Sequence, residues 1–226
     1  MLNIQDFMLI ISGTFAWFTG ILSAGSGGLI FLPVSALFLQ TGIITPVTAI
    51  ASLLSDSEKM LRYGNNACPV VLKASIPFTI VGAGLGVFLF SVSDLRVYAV
   101  FLFLFYLANS VYSHKFYGLG RIPVFFGSVI SGYLGVTALN TSMTREEEGS
   151  FFVLCFMRGI TMLSAYLMFG VLTADVLIYG IMAGIGALAG GYLGRRYFSG
   201  FQDRFLRFFV KASLIACIVI ILAGQL

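Results

Sequence analysis

The sequence predicts an all-α polytopic membrane protein, with about eight transmembrane helices in two related halves and a broken or re-entrant half-helix after the first span. Three observations lead there. Apolar residues make up 59% of the 226 residues and charged ones only 10%, with a mean hydropathy of +1.01, too little polar surface to solubilise a compact domain. The apolar residues gather into segments of about twenty, the length that crosses a hydrocarbon core. A stretch of the first half also recurs in the second.

Taken in order, spans are expected near residues 6–23, 44–62, 70–90, 95–113, 121–139, 150–170, 174–194 and 203–224. Met1 to Phe7 hold Asp6 and no Lys or Arg, so the basic start of a cleaved signal peptide is missing, and the first segment is expected to stay in the mature chain. Behind it comes "AGSGGLIFLP", Ala24 to Pro33, with glycines at 25, 27 and 28. Ser26 to Gln40 is apolar but short, and is opened by residues that interrupt helices, so it reads as a half-helix rather than a crossing. The remaining segments are joined by short polar loops, and no soluble domain fits beside them. One integral membrane domain is therefore expected over 1–226, in the plasma (inner) membrane, with repeat 1 at about 6–113 and repeat 2 at about 121–224.

The repeat aligns "GAGLGVFLFSVSDLR" (Gly82 to Arg96) with "GGYLGRRYFSGFQDR" (Gly190 to Arg204), matching Gly82 with Gly190, Gly86 with Gly194, Phe90 with Phe198, Ser91 with Ser199 and Arg96 with Arg204. Four crossings per half make the repeats parallel, whereas a full crossing by Ser26 to Gln40 makes them inverted. The densest basic run, Arg195, Arg196, Arg204, Arg207 and Lys211, brackets a short loop that the positive-inside tendency places in the cytoplasm. Both termini then lie outside, with Lys59, Arg62, Lys73, Lys115 and Arg121 on or near the outer face.

The net charge of +4 belongs to this membrane pattern, and no nucleic-acid partner is expected, since most of the aromatics sit inside the spans. One histidine in the whole chain, and no GxSxG, HExxH or phosphate loop, leave no enzymatic constellation, metal site or cofactor to expect. Cys68, Cys155 and Cys217 are dispersed among apolar neighbours and read as small buried hydrophobes. The lone His114 and Asn109, at the end of the fourth span, receive no role.

What remains points to a small anion. Backbone left unpaired in hydrocarbon costs several kcal/mol per group, so an interruption at Gly25 is tolerable where it is buried in protein or lines a wet cavity. A half-helix starting near Gly27 directs its free N–H groups into such a cavity, Gly25, Gly27 and Gly28 let a ligand approach the backbone, and Ser23 and Ser26 add hydroxyls. The same glycines also suit plain helix packing, as do Gly82 and Gly86 or Gly186, Gly190 and Gly194 at four-residue spacing. Arg158 lies deep in its span and stays charged, so it needs an internal acidic partner or an anion. Counted from Gly64 and Gly170, it occupies the position of Ser52 in the other half. Ser52 and Ser55, with Thr45 and Thr48, put hydroxyls along the helix after the break. Asp56, Glu58, Lys59 and Arg62 close that helix, as an interfacial cluster or as coupling and gating groups. The anion is expected near mid-membrane against Gly25 to Gly28, with Ser52 or Arg158 approaching from the other half.

The glycine break with Pro33, then "GIITPVTAIAS" (Gly42 to Ser52), the polar helix end with Asn65 and Asn66, the glycine-spaced helix and its weaker second copy resemble the sulfite exporter TauE/SafE family, the four-toluene-sulfonate uptake permeases. The resemblance spans nearly the whole chain and is looser in the second half, where "GYLGVTALNTSMTREEEG" (Gly132 to Gly149) replaces the glycine break with a charged loop. It implies a secondary transporter, importing or exporting sulfite, thiosulfate or organosulfonates, with the bilayer and the anion as partners and either a monomer or a homodimer as the unit. The competing expectation is a membrane scaffold or assembly factor that transports nothing, or a carrier of this fold for another small anion.

Overall fold

Long apolar runs punctuated by glycine and proline produce helices, and among the described residues there are no strands. The computed structural model describes residues 4–22, 27–93, 121–134 and 145–197. Its helices are α1 (Ile4–Leu22), α2 (Gly27–Ala36), α3 (Thr41–Tyr63), α4 (Pro69–Val92), α5 (Arg121–Leu134), α6 (Arg145–Met168) and α7 (Ala174–Tyr197). The expected spans at 95–113 and 203–224, the loop bearing Arg204, Arg207 and Lys211, and Ser23, Gly25 and Ser26 lie outside the described residues. So do Arg96, Phe198 and Ser199 of the repeat alignment, and Asn109, His114, Lys115 and Cys217.

Three helical stretches, Pro69–Val92, Glu148–Met168 and Ala174–Tyr197, are long and apolar enough to cross a membrane. α3 is long enough but carries four charges in its last two turns. α2 has 10 residues, about 15 Å at 1.5 Å per residue, roughly half a hydrocarbon core. Residues 37–40 turn the chain after it, and α3 starts at Thr41.

The ends of these helices follow from local chemistry. α4 opens on Pro69, whose missing N–H costs nothing in a first turn. α6 ends where Gly170 takes φ 68, a left-handed conformation that only glycine adopts freely. Val171 N–H then reaches Tyr166 O at 3.0 Å and Gly170 N–H reaches Leu167 O at 3.2 Å, which satisfies carbonyls that the helix end would otherwise leave open. Three residues on, the Thr173 hydroxyl accepts from Val176 N–H at the start of α7, and Asp175 places a negative charge in the first turn.

Two compact units divide the chain. The first takes Met1–Ser55, Gly135–Leu139 and Leu172–Leu226, and so joins α1, α2 and the first part of α3 to α7. Its frame is a parallel pair. Tyr179 donates to Gln5 Oε1 near the start of both helices, and further along Gly186 meets the backbone of Ile10 and Thr14, while Gly190 meets Thr14 O and Phe18 N. α2 packs on α1 through a Trp17–Phe31 ring contact at 5.7 Å, with Ile30, Phe31 and Leu32 buried. Ile50 and Leu54 of α3 fill the space beside Gly180 and Gly184 of α7.

The second unit takes Asp56–Leu134 and Asn140–Val171, and so joins the end of α3 to α4, α5 and α6. Here too the frame is a parallel pair. Gly82 of α4 meets Phe125 O and Val129 N, Gly86 meets Val129 O and Tyr133 N, and the Phe90 and Tyr133 rings close the far end at 6.4 Å. α6 runs alongside in the same direction, tied by Cys68 N–H to Ser150 Oγ at 2.9 Å at one end, and at the other by Tyr166 O–H to Gly132 O at 3.2 Å and a Phe90–Tyr166 ring contact. Replacing Ser150 by alanine removes the acceptor of a part-buried N–H. A stability loss of about 1–2 kcal/mol is expected, read as a lower unfolding temperature in detergent.

Gly82 and Gly190 thus make the same kind of contact on different partner helices, the carbonyl of one residue and the N–H four positions on. α5 serves α4 in one unit as α1 serves α7 in the other.

Candidate anion site

The positions Thr45, Thr48, Ser52, Ser55, Asp56 and Lys59 recur at three- and four-residue intervals, so one continuous helix carries them down one face. In the first unit, Thr48 Oγ1 spends its proton on Ile44 O at 2.7 Å, the usual local satisfaction of a hydroxyl in an apolar helix. Ser52 does not. It is 9% exposed, and its Oγ has no hydrogen-bond partner.

The charged groups belong to the second unit. α3 and α6 run antiparallel there: Tyr63 stacks on Phe152 with centroids 5.4 Å apart, and Gly149 abuts Tyr63 O and Ala67 N, which lets the two backbones close up. That register brings Arg158 opposite Asp56. Asp56 is 4% exposed and Arg158 is 8% exposed, so both are buried. Asp56 Oδ1 lies 3.4 Å from Lys59 Nζ, and its Oδ2 lies 3.9 Å from Arg158 Nη2. The first is a long hydrogen bond; the second is Coulombic contact beyond hydrogen-bonding reach. Lys59 Nζ also sits 5.8 Å from the centre of the Phe152 ring, whose face favours a cation. Two cations therefore converge on one carboxylate. A buried charge left alone costs several kcal/mol, and the opposite charges here offset part of that cost for Asp56 and Arg158.

The sequence-derived candidates separate accordingly. Asp56, Lys59 and Arg158 come together. Glu58 instead accepts a hydrogen bond from Arg62 Nη2 at 3.0 Å at a partly exposed position, on a different side of α3 from Asp56. Gly27 and Gly28 are buried in the first unit, and the space that a Cβ on Gly27 would take is filled by Trp17, whose ring carbons lie 2.7 Å from it. Gly27 thus admits an indole, and a valine there collides with it.

Sequence reasoning did not single out Phe152 or Ser75, and it read Cys155 only as a small buried hydrophobe, which its burial matches. Phe152 lies under Lys59, and Cys155 lies buried one turn before Arg158. Ser75 on α4 is 1% exposed with an unpartnered Oγ, and the α4–α6 register puts it near the level of Cys155. A lone serine in an apolar run gives no periodic signal, so only the register exposes it.

Comparison with known proteins returns no matching family model, no matching curated protein and no matching solved structure. What the chain defines by itself is a helical protein with apolar helices long enough to span a membrane and a buried, mixed-charge cluster on two of its helices.

Proposed function

We propose that the chain is a secondary, multi-pass plasma-membrane transporter of small anions, of the sulfur-oxyanion or sulfonate class that the family resemblance implies, with Arg158 and Lys59 as the anion-holding cations. The observation that carries this reading is the Asp56–Lys59–Arg158 cluster, with two cations gathered on one buried carboxylate of α3 and α6. A guanidinium is fixed in charge and presents a planar fork of donors matched to oxyanions. The ammonium beside it adds a second point of attraction, and Phe152 holds that ammonium in place.

Two further features support a transporter built from two halves. α2 is a short helix buried within its unit, in keeping with a half-helix that does not span. The matching contacts of Gly82 and Gly190 fit two repeats that exchange their first helices, α5 packing on α4 and α1 on α7.

The test is flux into proteoliposomes holding this chain alone, with labelled sulfite, thiosulfate and methanesulfonate, and protein-free vesicles as the blank. Saturable uptake of at least one of these anions is expected. Vesicles that take up none above the blank would return the protein to the scaffold reading.

A further inference from the structure

We infer that the end of α7 binds the phosphate of an anionic phospholipid, with Arg196 as the contact and the Tyr192 and Tyr197 rings holding it in place. Such a site requires α7 to cross a bilayer, for which it is long and apolar enough, and does not require the chain to transport anything.

Ile178, Ile181, Ile185, Leu188 and Tyr192 recur at three- and four-residue steps and are exposed, so they form one stripe along α7, away from the side where its glycines meet α1 and α3. Arg196 is the next step on that stripe. From Ile178 to Arg196 the helix rises about 27 Å at 1.5 Å per residue, close to the thickness of a hydrocarbon core. Polar residues bound this length, with Thr173 and Asp175 before it and Arg195 and Arg196 at its end. With the stripe in hydrocarbon, Arg196 emerges at headgroup level, where tyrosine is also enriched.

The side chains at that level hold a cation without neutralising it. Arg196 Nη1 donates to the Tyr192 hydroxyl, and Arg196 Cζ lies 5.8 Å from the centre of the Tyr192 ring and 5.7 Å from that of Tyr197. All three side chains are exposed, and no carboxylate pairs with Arg196 among the described residues. Tyr192 takes one of the five N–H donors of a guanidinium, and the planar fork of the others matches phosphate oxygens. Arg195 adds a second positive charge in the same turn. That excess favours a headgroup of net negative charge over a zwitterionic one, whose own ammonium offsets its phosphate. The stripe below Arg196 gives the acyl chains of the lipid their contact, which a free phosphate would not use.

The experiment counts the lipids that the full chain retains on release from detergent in a mass spectrometer, after equilibration with equal amounts of phosphatidylglycerol and phosphatidylcholine. The wild type should retain phosphatidylglycerol in preference, and Arg196→Ala should reduce that preference about fivefold, the effect of one cation near an anionic surface. Tyr192→Phe keeps the ring and removes the hydroxyl, so it should fall between the two. Lys73→Ala removes a charge from an exposed position on α4, in the other unit, and should match the parent. All the substituted side chains are exposed, and unchanged retention of phosphatidylcholine reports an intact fold. No preference in the wild type, the parental preference in Arg196→Ala, or an equal loss in Lys73→Ala would overturn the site. Release of the phosphatidylglycerol by millimolar inorganic phosphate would overturn it as well, since the acyl chains would then contribute nothing.

Discussion

Arg158→Ala is expected to lower anion flux or affinity at least tenfold, with the protein still recoverable from the membrane. Charge-assisted hydrogen bonds are worth about 1.5–3 kcal/mol each, and about 1.4 kcal/mol is a factor of ten, so losing one such bond already reaches that size. A second effect adds to it. The substitution leaves Asp56 buried with Lys59 as the remaining cation of the cluster, and breaking a buried ion pair by removing one member commonly costs about 3–5 kcal/mol of stability. The two effects are separated by Arg158→Lys, which keeps the charge and loses the planar fork, and so should fold like the parent and transport at an intermediate rate. Side-by-side uptake and unfolding temperatures for the three proteins make the check. Parental transport by a well-folded Arg158→Ala protein would make Arg158 a structural partner of Asp56 and no more.

Gly190→Val and Gly82→Val should each be severely destabilising and similar in size, while Gly84→Val should be close to neutral. A Cβ on Gly82 would lie 2.6 Å from Phe125 O, and one on Gly190 would run into Thr14 O, so both helices would have to part from backbone rather than from a movable side chain. Overpacking against side chains alone costs about 1–3 kcal/mol, and backbone yields less readily. At Gly84, in the same helix as Gly82, nothing lies within 4 Å, so valine there controls for helix propensity and hydrophobicity. Monodispersity after detergent extraction, followed by thermal unfolding, reads all three. Unequal losses at the two glycines would argue against equivalent repeats.

Much of the helical layout was legible from hydropathy because burial in an apolar medium writes itself into long uninterrupted runs. The run expected at 70–90 appears as Pro69–Val92, and that at 174–194 as Ala174–Tyr197. Where an apolar run and a helix differ, polar first turns account for it: α6 starts at Arg145 rather than near 150, since Arg145 to Glu148 are good helix formers that hydropathy discards. The site was legible only in pieces. A buried arginine announces a need for negative charge, but not that the need is met by Asp56, about a hundred residues earlier in the chain. That pairing depends on the antiparallel register of α3 and α6, which Gly149 and the Tyr63–Phe152 stack set. Nor can a glycine's letter say what will occupy the space it leaves. Gly27 read as an approach for a ligand, and the structure fills that space with Trp17.

The parallel pairing of α1 with α7 has a consequence for how the protein is made. α1 leaves the ribosome about 150 residues ahead of α7, and at about 5–20 residues per second it waits roughly eight to thirty seconds for the surface it fits. A waiting helix gains from having its own polar groups satisfied. α1 is equipped for this: Ser12, Thr14 and Thr19 bond to carbonyls of their own helix, at Leu9, Ile10 and Phe15, so three of its hydroxyls are satisfied before the partner arrives. α7 arrives with its glycines already in a row, and the docking of the two closes a loop of about 150 residues. Synthesis that stops before residue 174 would therefore leave α1 unmated, so the first unit is sealed only when α7 arrives.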